Sequence, residues 1–233
     1  MHLPKIIIIS IGWAISSFAW AQAPAMHMGS DWRTMSIWDC KNKAAQAMQD
    51  NENFLHTDRS GDQTWGYNEK TIVLVSCVSM GKSVYILVAA ASQDSAEAER
   101  IRNSVRSHVF DAPAPAARYP DHYDANSIAL GGGRRSGHPP AMHWGSDYRP
   151  KSIAGCVGGA RLAMSRMGLQ SSVSDQSVVW GSNSELVAFV DCAPMERGVY
   201  IHVVVAAADT SVAERYRNEI RQITFNSIQF DEP

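Results

Sequence analysis

The chain contains two copies of one module, and this duplication constrains its fold more than any other feature of the sequence. The segment PAMHMGSDWR at residues 24–33 returns as PAMHWGSDYR at residues 140–149. A Trp-Gly pair at residues 65–66 returns at residues 180–181. Residues present in both copies are expected to serve the fold. Residues present in only one copy are candidates for a special role.

The N-terminus has the pattern of a secretory signal peptide, which we assign to residues 1–21. Lys5 precedes a short apolar run, and Ala19-Trp20-Ala21 forms an Ala-x-Ala cleavage site. The alternative is an uncleaved membrane anchor, but the apolar run is short for a membrane span. We therefore predict a periplasmic or secreted protein with no stable membrane insertion after signal cleavage.

Each module carries one early and one late cysteine, which agrees with an oxidising compartment. The simplest pairing joins the cysteines within each module, as Cys40–Cys77 and Cys156–Cys192. A crossed pairing of Cys40 with Cys192 would require the modules to be swapped. Closing a loop of roughly 37 residues would stabilise each module by about 3–4 kcal/mol.

Composition divides the mature chain into three parts. Repeat module 1 is assigned to residues 22–111 and repeat module 2 to residues 140–233. The intervening residues 112–139 are rich in Pro at first and in Gly later, which is typical of a linker. The alternative is an ordered strap across both modules, anchored by side chains such as Tyr119 and Tyr123.

Both modules repeat one order of elements, and this order predicts an α+β fold. A short extended segment leads to a helix with Ser36 or Ser152 as its N-cap. A strand holding the Trp-Gly pair, a hairpin of two apolar strands and a second helix follow. We predict two tandem homologous modules, each a small antiparallel sheet of about three or four strands with two helices and one disulfide. The divergent segment after the first helix, residues 50–63 and 168–176, is predicted to be a loop.

Charge argues against a nucleic-acid partner and against electrostatic attachment to an anionic membrane. The formal net charge is −2 at pH 7, whereas a nucleic-acid partner would require a basic surface.

The last helix of the first module carries Arg100, Arg102 and Arg106, with matching arginines in the second module. We predict that they form a solvated face.

No catalytic constellation is recognised, so we expect a protein that is not an enzyme and holds no cofactor. There is no Gly-x-Ser-x-Gly elbow. The histidines His56, His108 and His202 occur in one copy only and lie in different elements. His202 is predicted to be a packed strand residue, and Asp191 a surface residue. A pocket that brought His202 or His56 together with a carboxylate would indicate an enzyme.

Soft donors cluster near the start of each module and suggest copper as an alternative ligand. They are Met26, His27 and Met28 in the first copy, and Met142 and His143 in the second. The second copy has a tryptophan in place of Met28. This donor pattern is therefore not shared by both copies, and no metal site is assigned.

The repeated Gly-Ser-Asp-aromatic-Arg segment is the main candidate for a binding surface. Side chains alternate along a strand, which places Asp31 with Arg33 and Asp147 with Arg149 on one face. The intervening aromatic residue is expected to point inward. Each Asp–Arg pair could bind a partner or form an ion pair that holds the segment to its module. The candidate binding residues are Asp31, Arg33, Asp147, Arg149, His27 and His143.

These patterns favour an exported, non-enzymatic binding protein whose partner is another protein. Two modules on a linker suit bivalent binding, and a concrete form is an inhibitor or immunity-type protein that blocks a toxic or lytic enzyme. The first alternative is a copper-binding protein that uses the Met and His segments. The second is a protein that binds a small ligand in a cleft between the two modules.

Overall fold

The computed structural model describes residues 23–50, 54, 56–110 and 140–226. The predicted signal peptide and linker lie outside these residues. None of the helices described is long and apolar enough to cross a membrane. The elements of the first module are β1 (Ala25–Arg33), α1 (Ile37–Asp50), β2 (His56–Ser60), β3 (Gln63–Tyr67), β4 (Thr71–Met80), β5 (Ser83–Ser92) and α2 (Ser95–Phe110). Those of the second are β6 (Ala141–Arg149), α3 (Ile153–Arg166), β7 (Gln170–Ser174), β8 (Val178–Ser182), β9 (Leu186–Met195), β10 (Gly198–Ala207) and α4 (Thr210–Asn226).

Each module forms one antiparallel sheet with two helices, as the repeated order of elements predicts. The sheets have five strands each, in the orders β1-β5-β4-β3-β2 and β6-β10-β9-β8-β7. The prediction of about three or four strands was too low, because the divergent segment is not only a loop. It contains the edge strands β2 and β7, whose polar sequences do not show the apolar alternation of a buried strand.

The first strand of each module is longer than the sequence indicated. It begins at Ala25 in the first module and at Ala141 in the second. It pairs along its whole length with the second strand of the hairpin, which is β5 or β10. The Met-His segment is therefore part of the sheet rather than an exposed tail.

Both helices of a module lie on the same face of its sheet. In the first module, Met48 of α1 and Ile101 of α2 pack with Val75 and Ile86 of the sheet in a helix-side core. The second module repeats this arrangement with Met164, Ile201 and Ile220. Ser36 and Ser152 accept hydrogen bonds from the backbone N–H three residues later, at 3.0 Å in each case, which confirms both as N-caps.

The predicted disulfide pairing within modules is confirmed. Cys40 is bonded to Cys77 and Cys156 to Cys192, with Cα–Cα distances of 6.2 and 6.1 Å. Each bond ties the first helix of a module to the strand that begins the hairpin, so it fixes the helix on the outer face of the sheet.

The inner faces of the two sheets pack against each other and form a core that neither module can build alone. We call it the intersheet core. Met26 and Leu87 of the first module share it with Phe189 and Val204 of the second. The fold thus has four layers, helix–sheet–sheet–helix, and its central strands are buried on both faces, as their continuous apolar sequences indicate.

The glycine of the repeated segment makes room for arginines of the last helix. A Cβ atom on Gly29 would lie 3.2 Å from Cδ of Arg106, and one on Gly145 would lie 3.1 Å from Cδ of Arg221. The predicted solvated face is therefore wrong for Arg102 and Arg106, which are buried over the first strand. The stem of Arg106 and the guanidinium of Arg102 both lie over the glycine, which polarity alone does not reveal.

Candidate functional site

Two positions in the intersheet core correspond to each other through the duplication, and they differ in how they are occupied. The strand registers match β1 with β6, β3 with β8 and β4 with β9. The filled position consists of Trp144, Gln63, Tyr200, Ser146 and Ser76. The open position consists of the matching residues Met28, Val178, Tyr85, Ser30 and Asp191.

In the filled position a tryptophan occupies the space between the sheets. The indole N–H of Trp144 donates a hydrogen bond to Oε1 of Gln63, which also accepts from the indole N–H of Trp65 at 3.3 Å. The hydroxyl of Tyr200 hydrogen-bonds with that of Ser146 at 2.9 Å. The indole of Trp144 and the hydroxyl of Tyr200 thus find partners within the protein, whereas the buried hydroxyl of Ser76 has none among the described residues.

The open position contains a cavity of about 250 Å³ between the two sheets. Its lining is mixed. Aromatic and apolar side chains form part of it: Met28, Trp32, Tyr85, Val178 and Trp180. Polar and charged side chains form the rest: Ser30, Asp31, Arg102, Arg106, Ser174, Asp175, Ser177 and Asp191. Met28 is smaller than the matching Trp144, and Val178 lacks the amide of the matching Gln63. The volume is near the lower end of ligand pockets, which span roughly 300–1,000 Å³.

A buried carboxyl group faces this cavity. Asp191 is 2% exposed, and the hydroxyl of Tyr85, itself 3% exposed, donates a hydrogen bond to its Oδ2. Burial raises the pKa of Asp191 to about 7, and the hydrogen bond from Tyr85 opposes that rise. The prediction that Asp191 is a surface residue was wrong. It lies on the face of β9 that only the other module covers, and a single module's sequence does not show that second layer.

His202 lies directly opposite Asp191 in the register of β9 and β10. It is fully buried, as a packed strand histidine, between the rings of Tyr85, Trp144 and Tyr200 at centroid distances of 5.6, 6.3 and 4.9 Å. Burial lowers the pKa of His202 to about 3, so the imidazole is neutral. Within the described chain neither ring nitrogen has a hydrogen-bond partner, and His202 is not among the residues that line the cavity.

The structure thus brings His202 together with a carboxyl group, the arrangement that would indicate an enzyme. The geometry does not form a catalytic pair, because no hydrogen bond joins the two side chains and the imidazole is enclosed by aromatic rings. A general base must reach the proton that it removes. His202 does not have this access, so its arrangement supports packing rather than proton transfer.

The repeated Asp–Arg pairs form ion pairs on the outer face of their strands. Asp31 and Arg33 approach to 2.9 Å, and Asp147 and Arg149 to 2.8 Å, with all four side chains about one-third exposed. The guanidinium groups also stack on the ring that ends the last helix, at 5.1 Å from Phe110 and 4.8 Å from Phe225. This geometry holds each segment to its own module, and a binding role for these residues stays a prediction.

The intervening aromatics lie on the intersheet side of the strand, but at its margin. Trp32 and Tyr148 are 37% and 38% exposed, so the expectation that they point inward holds for their direction and not for full burial. The rings of Trp32 and Tyr85 meet edge to face, with centroids 5.1 Å apart.

The Met and His donors lie on different faces of the first strand. Met26 and Met28 face the intersheet core, whereas Nε2 of His27 lies 2.9 Å from the Ser95 hydroxyl at the start of α2. In the second module, His143 hydrogen-bonds with Thr210 at the start of α4, at 2.9 Å, and Met142 lies in the intersheet core.

No group of three or more His, Cys, Asp or Glu side chains suited to a metal ion occurs in the described part of the chain. The candidate copper donors Met26, His27 and Met28 therefore do not converge on one point.

The sequence analysis missed Asp191, Tyr85 and Trp180 as cavity residues. The signal that could have found them is the comparison of the two copies. Asp191 replaces Ser76 at a matching position, and Met28 stands where the second copy has Trp144. Both differences lie within strands, where changes of charge and volume alter what a core contains.

No family model matches this sequence, and comparison with curated proteins also gives no match. Among solved structures, the di-domain ARO/CYC StfQ from the steffimycin biosynthetic pathway is similar with 8% identity and a TM-score of 0.25 over 85% of this chain and 96% of the other. The di-domain ARO/CYC BexL from the BE-7585A biosynthetic pathway has 8% identity and a TM-score of 0.23, over 84% and 91%. DynU16, described as a putative protein in the dynemicin biosynthetic locus, has 7% identity and a TM-score of 0.26, over 86% and 95%. Scores of this size carry no inference about this chain.

Proposed function

We propose that this protein binds a small molecule in the open position between its two sheets. The observation that carries the proposal is the difference between two matching positions of one intersheet core. Trp144 and Gln63 fill one position, whereas the other retains a cavity of about 250 Å³ with aromatic walls and the buried carboxyl of Asp191. Ligand sites typically combine aromatic and apolar walls with polar groups that fix the orientation of the ligand, and both kinds of group line this cavity.

We also propose that the protein acts outside the cytoplasm, in the periplasm or after secretion. The pattern of residues 1–21 supports export. The two disulfides support an oxidising compartment, because such bonds persist there. Mass spectrometry of the mature protein from a periplasmic fraction tests this, with an N-terminus at Gln22 as the expected result.

The binding site is tested by transplanting the filled position into the open one. In the double variant Met28→Trp with Val178→Gln, both lining residues become those of the filled position. A fragment library is screened by ligand-observed NMR against the unaltered protein and this variant. Fragments that bind the former and not the latter would place the site in the open position, and binding that survives in the variant would refute the assignment.

The reciprocal change provides a matched control. Trp144→Met with Gln63→Val gives the filled position the lining residues of the open one. Fragments that need only an apolar cavity should then bind with a stoichiometry of two. Fragments that need Asp191 should still bind at one site, because Ser76 is the matching residue in the filled position.

The hypothesis of an inhibitor or immunity-type protein that binds another protein remains a separate prediction. The open position by itself does not favour it, since a cavity of this size suits a small molecule. Affinity capture from a periplasmic fraction tests it, and a single enriched enzyme that the protein inhibits is the result it requires.

A further inference from the structure

The buried carboxyl of the open position constrains the charge of its ligand. Asp191 lies on the intersheet face of β9 and lines the cavity, and no ion pair to it occurs among the described side chains. Its hydrogen-bond partner is the neutral hydroxyl of Tyr85. A carboxylate that is removed from water without a counter-charge is costly, and a ligand that supplies the charge removes that cost.

The walls around this carboxyl suit an organic cation rather than a hydrated metal ion. Trp32, Tyr85 and Trp180 line the cavity with aromatic rings. Aromatic ring faces attract ammonium groups and also pack against an apolar ligand body. A hard cation takes several oxygen ligands at once, and no group of three or more His, Cys, Asp or Glu side chains suited to a metal ion occurs among the described residues.

Two buried arginines also line the cavity. Arg102 and Arg106 are 3% and 6% exposed and pack against Gly29 from the helix side of β1. Asp31 forms its ion pair with Arg33, and Asp175 lies in the turn between β7 and β8. Burial and the hydrogen bond from Tyr85 act on the pKa of Asp191 and neither arginine does, so the arginines do not supply the counter-charge of this carboxyl.

We propose that the ligand of the open position is a small organic amine with one positive charge and an apolar body. The ammonium group would donate hydrogen bonds to the Asp191 carboxylate, and the apolar body would pack between the rings of Trp32 and Trp180. This inference rests on the proposed function, because it names the class of ligand for the same site. The cavity volume of about 250 Å³ limits the body to about one aromatic ring with a short chain.

The test uses three probes of similar size and different charge in calorimetric titrations at pH 8. The probes are 2-phenylethylamine as the cation, 2-phenylethanol as the neutral molecule and 3-phenylpropanoate as the anion. We expect the amine to bind the full mature chain at least ten times more tightly than either of the others. Equal or tighter binding of the neutral or anionic probe would overturn the proposal.

Two variants connect the charge preference to Asp191. Asp191→Asn keeps the shape of the side chain and should weaken binding of the amine at least tenfold. Glu185→Gln removes an exposed carboxylate of the second module and should change the affinity less than twofold. An unchanged affinity in Asp191→Asn would also overturn the proposal, and thermal unfolding confirms that each variant is folded.

The probes separate failure of this inference from failure of the proposed function. If 2-phenylethanol binds the unaltered protein but not Met28→Trp with Val178→Gln, and the amine binds no more tightly, the site stands and the amine assignment is wrong. If none of the three probes binds, the amine assignment is refuted and the small-molecule function loses its support as well.

Discussion

The filled and open positions show how two copies of one strand arrangement can produce a packed core and a cavity. In the filled position, the indole N–H of Trp144 donates a hydrogen bond to the amide oxygen of Gln63, and the hydroxyls of Tyr200 and Ser146 are hydrogen-bonded. In the open position, Tyr85 instead donates to Asp191, and the space that an indole occupies in the other copy is a cavity. The registers of β1, β3, β4 and β5 match those of β6, β8, β9 and β10, whereas the turn between β7 and β8 is one residue longer than the turn between β2 and β3.

Three side-chain differences contribute to the contrast, beside the longer turn between β7 and β8, whose Asp175 and Ser177 line the cavity. Met28 for Trp144 removes volume, and Val178 for Gln63 removes the polar partner that would hold an indole. Asp191 for Ser76 adds a buried carboxyl. Loss of volume alone would leave an apolar void, which costs stability. The carboxyl makes the void polar on one side, and this combination favours a binding site over a packing defect.

The largest expected effect on stability comes from removing the buried carboxyl. The folded pKa of Asp191, about 7, lies above its ordinary value of 3.8, so the native protein retains a proton that the unfolded chain releases. The contribution of Asp191 to the free energy of unfolding therefore falls as the pH rises from about 4 to 7. Asp191→Asn should raise the free energy of unfolding by about 3–4 kcal/mol near pH 9 and by less than about 1 kcal/mol near pH 4.

Urea denaturation at both pH values measures this difference. The groups that face Asp191 are Tyr85 and His202, with Asp31, Asp175, Arg102 and Arg106 around the same cavity. The exposed carboxylate variant Glu185→Gln is the control and should show little dependence on pH. A gain from Asp191→Asn that is equal at the two pH values would show that charge burial is not its cause.

The next effect comes from opening the filled position. Trp144→Met removes an indole that packs in the intersheet core and leaves the amide of Gln63 with one partner fewer. We expect a loss of about 2–3 kcal/mol in the free energy of unfolding, as for other large-to-small changes at partly buried sites. Met28→Trp is the matched change in the open position. If Trp144→Met and Met28→Trp lower the free energy of unfolding by the same amount, the two positions do not differ in the space that they contain.

His202 should produce a smaller effect that appears only in acid. Its folded pKa of about 3 lies below the ordinary 6.5, so the unfolded chain binds a proton that the native protein excludes. This stabilisation is present above about pH 6.5 and is lost as the pH falls toward 3. His202→Leu, which installs the residue of the matching position Leu87, should reduce the loss of stability between pH 7.5 and pH 5 by about 2 kcal/mol. Thermal unfolding across this range measures the loss of stability. If His202→Leu loses as much stability between pH 7.5 and pH 5 as the unaltered protein, the lowered pKa of His202 is contradicted.

The smallest effect is expected at the repeated ion pairs. Asp31→Asn and Asp147→Asn each break one pair that is about one-third exposed, and each should cost less than about 1 kcal/mol. Chemical denaturation of the two single variants compares the modules directly. A much larger loss at Asp31, which also lines the cavity, would show that the segment serves the open position as well as its own module.

Much of the fold could be predicted because the duplication repeats its local signals. Ser36 and Ser152 cap matching helices, and the single early and late cysteines of each copy determine the disulfide pairing. The edge strands β2 and β7 could not be predicted, since polar edge strands gain their hydrogen bonds from a neighbour and need no apolar pattern.

The candidate site could not be predicted, because it depends on contacts between modules. The sequence shows that β9 and β10 are apolar on both faces, but it does not show which surface covers the inner face. Asp191 next to a cysteine near a turn has the local pattern of a surface residue. Its burial depends on the Tyr85 side chain, which lies more than a hundred residues earlier in the chain, at a separation of 106.

The four-layer arrangement has the form of a dimer whose two subunits share one polypeptide. In a true dimer of one module, twofold symmetry would repeat every residue of the interface. A carboxyl at the place of Asp191 would then occur twice, and an indole at the place of Trp144 would close both cavities. Two separately encoded copies permit an interface that is close to symmetric in its backbone and asymmetric in its chemistry.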